Sequence, residues 1–280
     1  MHCIYINLDS AVDRREAIEE NFRETMAPHG FALHRLPAVT INDVLQKKIE
    51  GSQTDSAKAC YLSHVAALEK SLEFSGPVMI LEDDACFGRR TGEKLIEVMG
   101  KIISSDFAWD IFFTDVIFGE FSQMADLMWD NKIFQRRERQ VFKIFDLKGW
   151  TFCGMSAYIV HPNAKNKIME TLNGQVMLNH LNDIYIRDKV QEGALKALTI
   201  FPFLTSVSDH AGESQVQSDE FEVAIRVING FRKLCWNDVE VESLDPEDLV
   251  KGLDDDFFDT ESEYFAQITR LMASRKFKLI

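Results

Sequence analysis

Short apolar runs closed by turn-forming residues alternate along this chain with longer segments whose apolar side chains return every three or four positions. The clearest run is Val78-Met79-Ile80-Leu81, which leads into Glu82-Asp83-Asp84 and Ala85-Cys86-Phe87 and is bounded by Gly76-Pro77 and Gly88. Aliphatic residues held between breakers predict one strand over 78–87, covered on both faces. Residues 3–8 predict a first strand, and Asp9, Ser10 and Asp13 are expected to cap the helix that follows through Arg14, Arg15, Ala17, Ile18 and Phe22. Pro28 and Gly30 close it, and 31–36 reads as a second strand. The segment 40–56 reads as polar and irregular. A helix over 57–74 carries Ala59, Leu62, Val65, Ala66, Leu68 and Leu72 on one side.

Further on, the pattern predicts a helix over 92–103, a strand over 109–115, and an aromatic, methionine-rich stretch over 116–129. Strands near 141–147 and 152–160 precede a helix over 162–172, where Pro162 suits the first turn. A helix within 182–196, a strand over 197–201 and a polar loop over 206–214 complete this part. Strands alternating with helices predict an α/β fold with a mainly parallel central sheet flanked by helices. Beyond residue 219 only helical patterns remain. Thr260-Glu261-Ser262-Glu263 has capping-box spacing, and Tyr264, Phe265, Ile268, Leu271 and Met272 share the face behind it. The chain thus divides into a body, 1–218, and a helical C-terminal extension, 219–280.

The acids that end the 78–87 strand give this pattern chemical content. Ligands of open α/β sheets bind at the carboxyl edge of the strands. Side chains alternate along a strand, so Glu82 and Asp84 are expected on one side, with Asp83 turned toward the sheet. Two such carboxylates are hard ligands suited to Mg²⁺ or Mn²⁺, with waters and substrate phosphates completing the shell. The plainer alternative is a solvated strand end. The strand over 109–115 also ends in a carboxylate, Asp115.

Composition narrows the classes. Net charge is −14 over 280 residues, which argues against a nucleic-acid partner, since phosphate binding draws on a basic surface. No apolar run approaches the about 20 residues needed to span a bilayer. The start, Met1-His2-Cys3-Ile4-Tyr5-Ile6, lacks the basic region of a signal peptide, so a cytoplasmic location is expected. The five cysteines are dispersed without a C-x-x-C pair and read as reduced thiols. The last helix is expected to pack on the body or on a second copy of the chain. Arg270, Arg275, Lys276 and Lys278 at its end make peripheral contact with the cytoplasmic face of the inner membrane the other reading.

Four blocks, taken in order, resemble glycosyltransferase family 25, the lipooligosaccharide and collagen galactosyltransferases. They are Ile4-Tyr5-Ile6-Asn7-Leu8-Asp9 with Asp13-Arg14-Arg15; Ala59-Cys60-Tyr61-Leu62-Ser63-His64 with Glu69; Ile80-Leu81-Glu82-Asp83-Asp84; and Gly154-Met155-Ser156-Ala157-Tyr158-Ile159-Val160 followed by Asn182-Asp183. The chain departs from the family pattern at Ala59, at Ala67-Leu68 and at Phe113-Thr114-Asp115. The resemblance implies a GT-A-like fold and inverting transfer of a hexose, most simply galactose, from a UDP-sugar to a saccharide or glycolipid acceptor.

On that reading Mn²⁺ or Mg²⁺ is held by Asp84 directly and by Glu82 through water, Glu82 alternatively contacting the ribose, with His210 of a late loop either the third ligand or an exposed loop histidine. The resemblance points to Asp183 as the base that deprotonates the acceptor, with Asp115 and then Asp209 behind it. Asp183 alternatively caps its helix. Donor binding falls to the backbone of Asn7 and Leu8, to Arg14 or Arg15 at phosphate, and to Ser63, His64, Glu82 and Asp83. Arg15 alternatively pairs with Glu19, and His64 is alternatively a satisfied core histidine. A haloacid-dehalogenase-type hydrolase is disfavoured because Asn7 stands where the nucleophilic aspartate is needed. A metal-dependent nucleotidyltransferase and a non-catalytic GT-A-like binding module remain alternatives.

Overall fold

From Cys3 to Asn7 every residue of the first strand is buried, and the strand becomes the second rung of a seven-stranded sheet. The chain runs β1 (His2–Asn7), α1 (Val12–Thr25), β2 (Ala32–Pro37), α2 (Ile41–Lys47), α3 (Asp55–Ser71), β3 (Val78–Glu82), β4 (Ala85–Phe87), α4 (Thr91–Ser104), β5 (Ile111–Phe113), β6 (Ile117–Phe118), α5 (Phe121–Arg136), β7 (Lys143–Asp146), β8 (Phe152–Cys153), β9 (Ala157–Val160), α6 (Lys165–Asn173), α7 (Asn182–Gln191), β10 (Ala197–Phe201), β11 (Thr205–Val207), α8 (Glu222–Leu234) and α9 (Thr260–Ala273). The computed structural model describes residues 1–105, 108–136, 142–208, 222–239 and 260–273.

The main sheet has the order β2-β1-β3-β9-β5-β10-β7. Strands β2, β1 and β3 are mutually parallel, β5 and β10 are parallel, and only β9 and β7 oppose their neighbours. The α/β fold and mainly parallel sheet expected from the sequence are therefore present, in an arrangement compatible with a GT-A-like fold. Alternation along the strands feeds two cores. Ile4, Ile6, Val78, Ile80, Ile111, Phe113, Tyr158 and Val160 meet α3, α6 and α7 on one face. Tyr5, Met79, Leu81, Phe112, Ile159 and Leu198 meet α1 and α4 on the other. Each large apolar side chain so covered contributes about 1.5–3 kcal/mol, which is why the strands read as nearly unbroken apolar runs.

Several local expectations are corrected. The 78–87 stretch is not one strand: β3 stops at Glu82, Asp83 and Asp84 form a tight turn, and β4 leaves the sheet to pair antiparallel with β11. Residues 205–207 of the supposed polar loop are that β11 partner. Inside 40–56 lies α2, held by a capping box in which Thr40 and Asp43 satisfy each other's backbone N–H groups. No side chain caps α1, whose N-cap is Ala11 rather than Asp9 or Ser10. Tyr264, Ile268 and Leu271 of α9 are exposed. Residues 228–239 pack against the body, with Phe231 and Cys235 in its core. Among the described residues no helix is long and apolar enough to cross a membrane.

Candidate active site

Strands β1, β3 and β5 deliver Asn7, Glu82 and Thr114 to one edge, and β9, running the other way, begins there. Glu82 N donates to Ser156 O at 2.8 Å and Thr114 N to Ala157 O at 3.2 Å, so these ends meet directly. Because the turn after β3 breaks the strand, the three acids fan out instead of alternating. Glu82 turns to α3, Asp83 to the end of β1, and Asp84 lies between Glu82, Arg14 and Arg232.

Asp83 is nearly buried and accepts from Asn7 Nδ2 at 2.7 Å, while the Arg14 guanidinium pairs with its other oxygen. Burial raises its pKa, against the opposing Arg14 charge and Asn7 hydrogen bond. This is a correction: Asp83 faces the β1 turn rather than the sheet, and serves to hold Arg14. The same guanidinium lies 3.9 Å from Asp84 Oδ2. Asp84 is pushed up to about 7, first by burial and then by repulsion from Glu82, with Arg232 and Arg14 opposing. Among the described residues its buried Oδ1 has no hydrogen-bond partner, and neither has Arg14 Nε.

Glu82 keeps one-third of its side chain exposed and contacts His64 Nε2 at 3.2 Å through Oε1. Burial acts against its charge, but the hydrogen bond and charge of His64, with Arg232 and Arg14, bring its pKa below the usual value. His64 is fully buried and its Nδ1 lies 3.0 Å from the Tyr158 hydroxyl. An ionised Glu82 only accepts, so His64 Nε2 carries a proton and donates to it.

Asp115 is not an open strand-end acid. Arg232 of α8 pairs with its Oδ2 through two nitrogens, Nε at 3.0 Å, and Thr205 donates to Oδ1 at 3.1 Å. Arg232 also donates to Ser156 Oγ at 2.9 Å. Both members are almost wholly buried. A general base must reach its proton, so this locked carboxylate is a counter-ion to Arg232. Arg232 itself escaped the sequence reading: it stands 117 positions from its partner, in a segment distinguished only by acidic composition.

Asp183 lies in the first turn of α7, its Oδ2 accepting from Gly154 N at 2.9 Å and its Oδ1 from Ile184 N at 2.8 Å. Gly154 has φ +89°, a conformation costly for other residues, so Asp183 also fixes this turn. It remains partly exposed. Asp183 lies near enough to Cys60 for its charge, behind burial and Glu82, to help raise that thiol well above the usual range.

Other candidates are spent within the fold. Ser63 Oγ donates to Ala59 O and accepts from Val39 N, so it tethers the chain beyond β2 rather than facing a ligand. The Asn7 carbonyl accepts from Ala38 N and Arg35, and the Leu8 carbonyl accepts from Ala11 N. Glu19 takes the Tyr5 hydroxyl, in place of the expected contact with Arg15, which remains partly exposed at the start of α1. His210 and Asp209 lie outside the described residues.

Residues 1–180 match the family described as Glycosyltransferase family 25 (LPS biosynthesis protein). Over 103 residues the chain is 31% identical to the Lipooligosaccharide biosynthesis protein lic2B of Haemophilus influenzae, a match covering 35% of this chain and 39% of that relative. The chain thus matches well under half the length of this curated relative. The family match covers the β1 turn, the α3 helix, the acidic turn and β9, the elements that converge on the edge described above, and on it the chain belongs to glycosyltransferase family 25.

Proposed function

We propose that this glycosyltransferase is metal-dependent and inverting, and that it moves a hexose, galactose in the simplest case, from a UDP-sugar to a saccharide acceptor of the lipooligosaccharide type. The acceptor class rests on the family description and on the printed name of the Haemophilus relative. The observation that carries metal dependence is Asp84 Oδ1, buried beside Glu82 at the sheet edge and without a hydrogen-bond partner among the described residues. A buried carboxylate oxygen without a donor is costly unless a cation joins it, and Mn²⁺ or Mg²⁺ matches its hardness. Glu82 and Asp84 would hold the ion, which when bound neutralises charge growing on the departing diphosphate.

The chain's own groups supply the rest. Arg14, held by Asp83 and partly exposed, keeps its guanidinium beside Asp84 for phosphate oxygens. Arg232 adds a fixed positive charge behind the carboxylates. Asp183, partly exposed where β8 meets α7, is the base that takes the acceptor hydroxyl's proton, since Asp115 is locked by Arg232.

The test is a panel of UDP-sugars incubated with a lipooligosaccharide acceptor and Mn²⁺, read as released UDP. Transfer is expected with one donor, abolished by EDTA, and reduced about 100-fold or more in Asp84→Asn. Release of pyrophosphate instead would favour the nucleotidyltransferase reading, and full activity in EDTA would remove the metal. Asp183→Asn should lower turnover about 10²–10⁴-fold with donor KM unchanged; a rise in donor KM alone would reassign it.

A further inference from the structure

Cys60 and His64 are four residues apart on α3 and so share one helix face, the face turned to the end of β3. Cys60 Sγ, a ring nitrogen of His64 and a carboxylate oxygen of Glu82 all lie within 4.8 Å of one another, and His64 Nε2 is 3.2 Å from Glu82 Oε1. A tetrahedral zinc site with bonds of about 2.0–2.3 Å has ligand–ligand edges of about 3.3–3.8 Å, so the His64–Glu82 pair is already at ligating distance and Cys60 needs to shift by about 1.5 Å at most. Tyr158 contacts the far nitrogen of His64 and fixes the ring, the kind of outer support that metal-bound histidines use. Cys60 and Glu82 are partly exposed, which leaves an entry path and room for a water as fourth ligand.

We propose that Cys60, His64 and Glu82 form a second cation site, selective for a borderline-soft divalent ion such as Zn²⁺ and distinct from the all-oxygen pair Glu82 and Asp84. Thiolate and imidazole select Zn²⁺ or Co²⁺, whereas Mn²⁺ and Mg²⁺ prefer oxygen. One thiolate, one carboxylate and a neutral imidazole balance the charge of the ion. On binding, the thiol proton leaves to solvent, and His64 ligates through an unprotonated Nε2 with its one remaining proton on Nδ1, donated to the Tyr158 hydroxyl. Glu82 belongs to both sites, so zinc and the catalytic ion compete for one carboxylate. This last clause rests on the metal-dependent reading above; the site itself does not.

The test uses the full chain with Co²⁺ and no sugar nucleotide. A thiolate-to-cobalt charge-transfer band in the near ultraviolet, bleached by Zn²⁺, is expected in the wild type and in Asp84→Asn. It should be lost in Cys60→Ser, with zinc affinity falling about tenfold or more. No band, a band that survives Cys60→Ser, or one lost in Asp84→Asn would overturn the site. Should Cys60→Ser fail to fold, zinc protection of Cys60 against a maleimide in the wild type, read by peptide mass, decides it: unprotected Cys60 sinks the proposal. In the transfer assay Zn²⁺ should inhibit Mn²⁺-supported turnover, with inhibition relieved about tenfold in Cys60→Ser. Inhibition unchanged in that variant would overturn the competition, whereas activity independent of Mn²⁺ would fault the function and leave the cobalt spectrum intact.

Discussion

Asp84 carries its carboxylate largely out of water, and the consequence can be read from stability alone. Burial first and Glu82 second push its pKa up to about 7 in the folded chain, from the ordinary 3.8 of an exposed aspartate. The folded state therefore binds the proton more tightly, so the stabilisation is full below about pH 4 and is lost as pH rises through about 7. In EDTA, Asp84→Asn, neutral throughout, should gain melting temperature relative to the wild type between pH 5 and pH 8, and parallel profiles would show that Asp84 is not strained. The sequence exposed Glu82, Asp83 and Asp84 as a strand-end cluster but could not assign their directions, because alternation fails once the strand yields to a turn. Likewise Asp115 was legible as an acid at the end of β5. Its neutralisation by Arg232 was not, since no local pattern joins residues that distant.

Among whole elements, legibility follows how strongly local sequence agrees with tertiary demand. Helix α3 was visible because its apolar face is long and Thr54 caps its start, accepting from Ala57 N at 3.2 Å. Helix α2, seven residues long, offers too few apolar positions for a period to emerge, and only the Thr40–Asp43 spacing betrayed it. The end of α3 depends on a distant partner that periodicity cannot reveal. Lys165, almost fully buried at the start of α6, donates to Ser71 O at 2.8 Å and to Phe74 O at 2.5 Å. It satisfies carbonyls that a helix end leaves open and adds a cation where the helix dipole favours one. Lys165→Met should keep the stem's packing yet orphan the Phe74 carbonyl and leave the Ser71 carbonyl with Phe74 N as its donor. A loss of about 1–3 kcal/mol in urea unfolding is expected, and an unchanged midpoint would show that water replaces the ammonium without cost.

Across the molecule, composition drew a boundary at residue 218, yet the segment 231–239 is built into the body beside the acidic turn. Arg90 donates to Asp238 and to the Asn237 carbonyl, and a Cβ at Gly88 would come within 2.2 Å of Asp238, so the β4 turn and this segment are fitted to each other. Phe203 N donates to Cys235 O at 2.9 Å, and Arg232 neutralises Asp115 beneath the acidic turn. Truncation after 218 would leave Asp115 buried without its counter-charge, for which about 3–5 kcal/mol is the usual cost, before the loss of Phe231 from the core is counted. The truncated chain should therefore be severely destabilised. Arg232→Met in the full chain should show most of the loss, and adding Asp115→Asn should restore much of it, because the penalty lies in the unpaired charge. Additive losses in the double variant would mean that Arg232 acts through packing. A stable, cooperative 1–218 fragment would return the extension to the status its composition suggested.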